Sequence, residues 1–426
     1  MQGKVKELLA RIVEHSRKFR ASKPRERGLD GRIVLAARLS PSVRRLLEIA
    51  EFYFESGDLE NAARAVKRAE ELPGSEQAFD LWFLNGLIKA RQIDLDGAVA
   101  SIRKAHSILP DNPHAVYCLG SLLACTGELT EADMLFARNV PVLTGAGTPT
   151  YTCALRFFPE NVDGSINRVL SSVVEPNEKH NAAVYLVATD SVYLGRYGGA
   201  LAESVRRNCG ENWLLHYHVV NPDETAYRTI QAISEAHKNI RVTVEEADLS
   251  EYDDAEKKVY YSCARYLVLE DCLRMQKCPI VVADIDQMVM ADPSPLMETL
   301  GDRDVAVLRF SDQANNLFSY LSATLMVVSP TAKGHQFSRA LRLSTELALV
   351  DKAKRTWHLD QAILAVTYLK ASDTAYADIS PTMIHLGVGE PPVEREPAVG
   401  VFWSITNSLE ENLQKLNLPS FLSLMR

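Results

Sequence analysis

The stretch Pro279–Met290, PIVVADIDQMVM, sets a short apolar run against two carboxylates at alternate positions, Asp284 and Asp286. The run PIVVA has the length and β-branched content of a buried strand. Acids at i and i+2 of an extended segment point the same way. Like charges so placed repel, and burial worsens the repulsion. A divalent cation relieves it: Mg²⁺ and Mn²⁺ take oxygen ligands and share them with substrate phosphates. The D-x-D pattern by itself is weak. Asp94/Asp96 and Asp302/Asp304 also show it, the first in a turn between helical segments and the second in the polar stretch GDRD. Both read as solvated turns, whereas Asp284 and Asp286 directly follow an apolar strand.

Strands and helices alternate on both sides of that stretch. AAVYLVAT (182–189), WLLHYHVVN (213–221), NIRVTVEEA (239–247), DVAVLRF (304–310) and ATLMVVS (323–329) read as strands. GGALAESVRRNCG (198–210), residues 224–237, YSCARYLVLEDCLRM (261–275) and AKGHQFSRALRLSTELALV (332–350) read as helices. The alternation predicts an α/β layer with a largely parallel sheet. Ligands of such sheets sit at the carboxyl ends of the strands, where Asp190 and Asp284 both fall.

A different pattern comes earlier. GDLENAARAVKRAEELPG from Gly57, IDLDGAVASIRKAHSILPDN from Ile93 and GELTEADMLFARNVPVL from Gly127 superpose on Ala62, Ala98 and Ala132, spaced by 36 and 34 residues. Twelve residues before each anchor stands a small residue, Ala50, Gly86 or Gly120. Four after it stands a bulky one, Val66, Ile102 or Phe136. Small residues let two helices approach, and bulky ones fill the groove between them. The period and pattern resemble the tetratricopeptide repeat. That resemblance implies a concave face holding a peptide, a partner protein or the neighbouring domain; an array that only braces or dimerises the next domain is the alternative.

Composition narrows the function classes. A chain of 426 residues accommodates two or three domains. Its net charge of −8 gives no reason to expect nucleic acid as partner. The seven cysteines form no C-x-x-C and predict scattered thiols of a cytoplasmic protein rather than disulfides or a zinc site. No apolar run reaches the roughly 18 residues of a membrane span, and the first residues carry charges throughout, unlike a signal peptide. Residues 1–40 hold eleven Lys/Arg against four Asp/Glu beside Leu8, Leu9, Ile12 and Val13. This basic leader is either a solvated helix or a peripheral contact with anionic lipid on the inner face of a membrane.

With its flanks, the acid pair is more specific. VYYSCARYLVLEDCL followed by IVVADIDQMVMADPSPLME resembles the sugar-nucleotide-binding half of GT-A glycosyltransferases, especially the retaining family-8-like enzymes. Arg265, Asp284, Asp286, Asp292 and Leu296 match its motifs in order. LVATDSVYLGRYGGALAESV is similar to the family's opening segment, and TWHLDQAIL carries its D-Q pair, Asp360 and Gln361. The resemblance covers about 181–370. The two resemblances together imply an α plus α/β chain: tetratricopeptide-like helices over 41–145, a linker or connecting element over 146–180, and a GT-A type, Rossmann-like nucleotide-sugar domain over 181–426.

The resemblance also implies roles. Asp284 and Asp286 hold Mn²⁺ or Mg²⁺, and Asp284 also reaches the ribose. Asp190 and Tyr193 seat the base of a UDP-sugar donor. Arg265 reaches the diphosphate or a carboxylate of the motif. Asp360 binds donor hydroxyls, and Gln361 lies near the anomeric carbon. Each position has a plainer reading: a strand-end turn for Asp190, an ion pair for Arg265, a helix cap for Asp360. Lys257 and Lys258 read as a solvated face, and His216 and His218 as structural residues of a strand.

Two departures stand out. Trp403 and Ser404 occupy the place of the family's tail histidine, leaving His385 as a substitute third metal ligand. Ser322, Ala323 and Thr324 replace an asparagine-alanine-glycine segment. The expectation is a metal-dependent hexosyltransferase acting on a glycan, lipid-linked or protein acceptor. A catalytically inactive domain serving as a scaffold through its helical array is the alternative.

Overall fold

The computed structural model of the chain describes residues 42–137, 171–176, 182–210, 212–352, 355, 358–379, 384–385 and 402–404. The basic leader over 1–40 and residues 146–170 of the connecting segment lie outside them. The chain divides into a helical unit, with described residues 42–137 and 311–317, and a sheet unit.

Among the described residues the helical unit holds α1 (Val43–Glu55), α2 (Leu59–Glu70), α3 (Phe79–Arg91), α4 (Leu95–Ile108), α5 (Pro113–Cys125) and α6 (Leu129–Ala137), packed as successive pairs. Asp58 and Asp94 cap α2 and α4 by accepting from the amides of Asn61 at 3.1 Å and Gly97 at 3.0 Å. The small and bulky positions face each other within a pair. A methyl group at Gly86 would lie 2.4 Å from Ile102 Cδ1, and one at Gly120 would lie 2.7 Å from the Phe136 ring. Gly57 and Gly127 turn the chain between paired helices with φ of 82° and 90°, and Ile93 does so in the middle pair with φ of 64°. α5 also holds the 311–317 stretch of its own unit: the Tyr117 hydroxyl donates to Asn316 Oδ1 at 2.8 Å.

The sheet unit contains β1 (Ser171–Val174), β2 (Ala183–Thr189), α7 (Gly199–Asn208), β3 (Trp213–Val220), α8 (Glu224–Ala236), β4 (Ile240–Glu245), α9 (Asp254–Gln276), β5 (Ile280–Ala283), β6 (Gln287–Val289), α10 (Ser294–Leu300), β7 (Val305–Arg309), β8 (Leu321–Val328), α11 (Ala332–Val350), α12 (Leu359–Lys370), β9 (Tyr376–Ile379), β10 (Ile384–His385) and β11 (Phe402–Ser404). Eight strands form one sheet in the order β1-β4-β3-β2-β5-β8-β7-β9. The neighbours β4, β3, β2 and β5 are parallel, as are β7 and β9. β1 on β4, β5 on β8 and β7 on β8 are antiparallel, so the sheet is mixed rather than largely parallel. β1 comes from the segment expected to connect the helices to the sheet.

The parallel core explains where a ligand would sit. The chain runs from β2 outward through β3 to β4, then returns to the other side of β2 as β5. Strand order therefore reverses between β2 and β5, which opens a crevice at their carboxyl ends. The long helix α9 makes that return. Asp253 and Glu256 form its capping box. It packs on β2, β3 and β5 and against α11, and residues Cys263–Leu273 are buried without a break. Glu270 and Asp271 in that stretch are balanced by arginines, Arg339 at 2.7 Å and Arg342 at 3.5 Å, both on α11. Arg265, in the same stretch, pairs instead with Asp284 and Asp360.

Candidate active site

β2 and β5 are adjacent and in register, Leu186 beside Val282. One ends at Asp190 and the other at Asp284, so the crevice between them carries a carboxylate from each strand. The pair Asp284 and Asp286 is not extended, as the strand pattern suggests. Residues 284–286 form a tight turn closed by the Gln287 amide on the Asp284 carbonyl at 3.3 Å. The turn is needed because β5 belongs to the eight-stranded sheet and β6 to a second one, of order β10-β11-β6.

Arg265 reaches this turn from α9. Its Nη1 donates to Asp284 Oδ1. Its Nη2 donates to Asp360 Oδ2 at 2.7 Å and to the Ala323 carbonyl at 3.1 Å. The residue is 2% exposed. A buried guanidinium is tolerable only when paired, and here two carboxylates share it. Burial works against its charge, but Asp284, with Tyr266 and Asp360 behind it, raises its pKa well above the ordinary value. Of the two partners expected for Arg265, diphosphate or motif carboxylate, the structure holds it on the carboxylate.

The acids feel the opposite pressure. The Asp284 side chain remains 28% exposed, yet burial pushes it up to about 7. Arg265 opposes that rise, and Asp286 and Asp360 add to it. Burial also raises Asp286, against Arg265 and Arg196. A pair that holds its negative charge poorly gains from a cation. Two carboxylates with open oxygens suit a hard ion that completes its shell with phosphate and water. Among the described residues no three His, Cys, Asp or Glu side chains stand so that they could hold an ion together. His385 lies in β10, whose backbone pairs with β11; β11 in turn sets Trp403 beside Met288 and Ser404 beside Gln287. The tail backbone thus borders the strand that follows the acid pair.

The start of β8 ties the other residues together. β7 and β8 pair at Val307 with Met326 and next at Leu308 with Ser322, so residues 323–325 bulge out of the β7 ladder. Side chains use the carbonyls of this stretch. Ala323 accepts from Arg265, Thr324 from Gln287 Nε2 at 2.9 Å, and Leu321 from Gln361 Nε2 at 3.3 Å. Gln287 is fully buried, and its Oε1 accepts from the Tyr185 hydroxyl at 3.3 Å. Ser322 and Thr324 hydrogen-bond each other at 2.7 Å. The sequence pattern misses both Gln287 and the bulge; the one available signal is an amide inside the apolar run around Asp286.

The remaining candidates fall as follows. Asp360 accepts from the Gln361 amide at 2.9 Å with Oδ1 while Oδ2 holds Arg265, so both of its oxygens are engaged. Asp190 Oδ1 accepts from the Tyr193 amide at 2.7 Å and starts a helical turn over 191–198; Tyr193 is 38% exposed. Asp292 accepts from Ser294 ahead of α10, and Leu296 is buried. Lys257 faces Asp254 at 3.7 Å among exposed atoms. His216 and His218 are fully buried and share the Thr243 hydroxyl at 2.9 and 3.0 Å, a structural use. Asp94 is the turn residue expected. Asp304 is not solvated: it accepts from the Thr331 hydroxyl at 2.6 Å and the Ala375 amide at 2.8 Å, joining β7 to the start of α11 and to the segment leading into β9.

No family model and no curated protein matches this chain. Among solved structures it is similar to the galactosyltransferase LgtC in complex with donor and acceptor sugar analogs, with 15% identity and a TM-score of 0.40 over 57% of this chain and 95% of that one. It is similar to the bifunctional glycosyltransferase WbbM in its apo form, with 14% identity and a TM-score of 0.39 over 59% of this chain. A third likeness is to the glycosyltransferase GlyE of Streptococcus pneumoniae TIGR4, with 17% identity and a TM-score of 0.33 over 48% of this chain and 46% of that one. The chain spans about half the length of WbbM, 52%.

Proposed function

We propose that this chain is a metal-dependent glycosyltransferase. It moves a hexose from a nucleoside diphosphate sugar, UDP-linked, to an acceptor hydroxyl with retention at the anomeric carbon. The observation that carries this reading is that Arg265 holds Asp284 and Asp360 together where β2 and β5 end, with Asp286 two residues further along the same turn and within the reach of its charge. Structural ion pairs have no use for a surplus of acids at a strand-order reversal; a cation bridging to phosphate does.

Asp284 and Asp286 would hold Mn²⁺ or Mg²⁺, with His385 the tail candidate for a third ligand. The ion, when bound, neutralises charge on the departing diphosphate. Asp190 and Tyr193 would seat the base, since an exposed ring stacks and a carboxylate accepts an N–H. Arg265 would fix the Asp284 carboxylate and, through Asp360, the start of α12. Gln361 would then lie beside the anomeric carbon. Retention would follow from displacement on one face: the bond from the anomeric carbon to the phosphate oxygen breaks, and the bond to the acceptor oxygen forms on the same side. The acceptor proton passes to the leaving phosphate. The helical array would recruit a protein partner or the acceptor.

A scaffold with an inactive sheet domain is the second reading. Trp403 and Ser404 at the place of a metal-binding histidine favour it. Turnover separates the two. Incubation with UDP-glucose, UDP-galactose and Mn²⁺ should release UDP, and Asp286→Asn should lower that release by about a hundredfold or more. Equal UDP release by the variant contradicts the assignment of the acid pair.

A further inference from the structure

Resting on the donor-site reading above, we infer that Arg196 is the residue that receives the donor's diphosphate. A nucleoside diphosphate brings negative charge into a crevice that already carries Asp284, Asp286 and Asp360. One divalent ion between two carboxylates leaves little positive charge for the phosphates, so a site of this composition needs a second cation. Arg265 is not available for that task. It is 2% exposed, and both its terminal nitrogens are committed, to Asp284, Asp360 and the Ala323 carbonyl.

Arg196 has the missing properties. It lies on the π-helical turn Leu194–Gly198, which continues the turn that starts at Asp190 on the carboxyl end of β2, the strand beside β5. Such turns recur at functional sites. Asp190, Tyr193 and Arg196 follow one another at intervals of three along this path, and the Tyr197 ring lies close to both Tyr193 and Arg196. Its guanidinium carbon stands 5.1 Å from the centroid of the Tyr197 ring, which is itself 5.4 Å from that of Tyr193. The arginine is thus braced on a buried ring while it is exposed to solvent. Its positive charge acts on Asp286 in the acid turn and on the Tyr197 ring that braces it. Among the described residues no carboxylate pairs with it. A planar guanidinium next to the rings, on the turn that also carries the residues fit for a base, matches a phosphate one ribose away from that base.

The test compares UDP with uridine, each in the presence of Mn²⁺, on the full chain. Calorimetry follows UDP and ligand-observed NMR follows uridine. Arg196→Gln should weaken UDP by about ten- to a hundredfold, the worth of a charge-assisted hydrogen bond, and leave uridine within about twofold. Arg196→Lys should recover part of the loss, because it restores the charge without the fork. The exposed position leaves the fold intact, and retained uridine binding checks this. UDP affinity unchanged in Arg196→Gln overturns the assignment, as does an equal loss of UDP and uridine. A wild-type chain that binds none of UDP, GDP and dTDP defeats the donor-site reading first, and the role of Arg196 with it.

Discussion

Two carboxylates, Asp284 and Asp360, meet on Arg265, and the three side chains depend on one another. Removing the guanidinium would leave Asp284 and Asp360 in a dense pocket with no counter-charge. Breaking a buried pair in this way costs about 3–5 kcal/mol. Arg265→Ala is therefore expected to destabilise the sheet unit by about that amount in urea unfolding, with Mn²⁺ absent so that no cation substitutes. A loss below about 1 kcal/mol would mean that the ion pairs are exchanged for water without penalty. Much of this cluster was legible in the sequence, because acids after a strand, an arginine on the preceding helix and a D-Q pair are local patterns. Gln287 was not. Its meaning comes from Tyr185 on β2 and the Thr324 carbonyl on β8, which are distant in sequence and joined only by the sheet.

At the scale of elements, the helical pairs carry one strained junction. Gly57 and Gly127 adopt left-handed backbone without penalty, but Ile93 holds the same position with φ of 64° and a 58% exposed side chain. A β-branched residue pays about 1–2 kcal/mol there, and glycine's greater freedom in the unfolded chain returns part of that. Ile93→Gly should raise stability by about 1 kcal/mol in chemical denaturation; an unchanged or lowered midpoint contradicts the strain. Glu51 on α1 supplies a pH signature for the same helices. Burial, then Asp80, Glu55 and Glu48, raise it from 4.5 to about 7. The folded chain therefore holds this proton more tightly than the unfolded one. The group costs nothing below its unfolded pKa of 4.5, and stability is lost as pH rises from there through about 7. Glu51→Gln should melt with the wild type at pH 4 and above it at pH 8. Identical melting curves at pH 8 would show that the carboxylate is free to ionise. The facing of Gly86 with Ile102 and of Gly120 with Phe136 was readable from spacing alone, since a helical period fixes which residues oppose each other. The antiparallel insertion of β8 between β5 and β7 was not. Strand direction and register depend on pairings that no local pattern encodes, and the bulge at 323–325 even less so.

Across the whole chain, the helical pairs and the mixed sheet answer different physical demands. The pairs stack by close helix approach, and the sheet buries apolar strands such as β2 and β5 on both faces. The division was visible as a change of period, from near 34 residues to alternating strand and helix. What the alternation could not give was the crevice itself, which needs the strand order and the turn at 284–286. The crevice is the reason to expect a ligand there, and the central claim is that a cation and a nucleoside diphosphate fill it together. Calorimetric titration of the wild-type chain with UDP, in Mn²⁺ and again in EDTA, tests that most directly. The account predicts binding in Mn²⁺, at least about tenfold weaker binding in EDTA, and loss of the Mn²⁺ dependence in Asp284→Asn. UDP binding of equal strength in Mn²⁺ and EDTA, unchanged by Asp284→Asn, would contradict it.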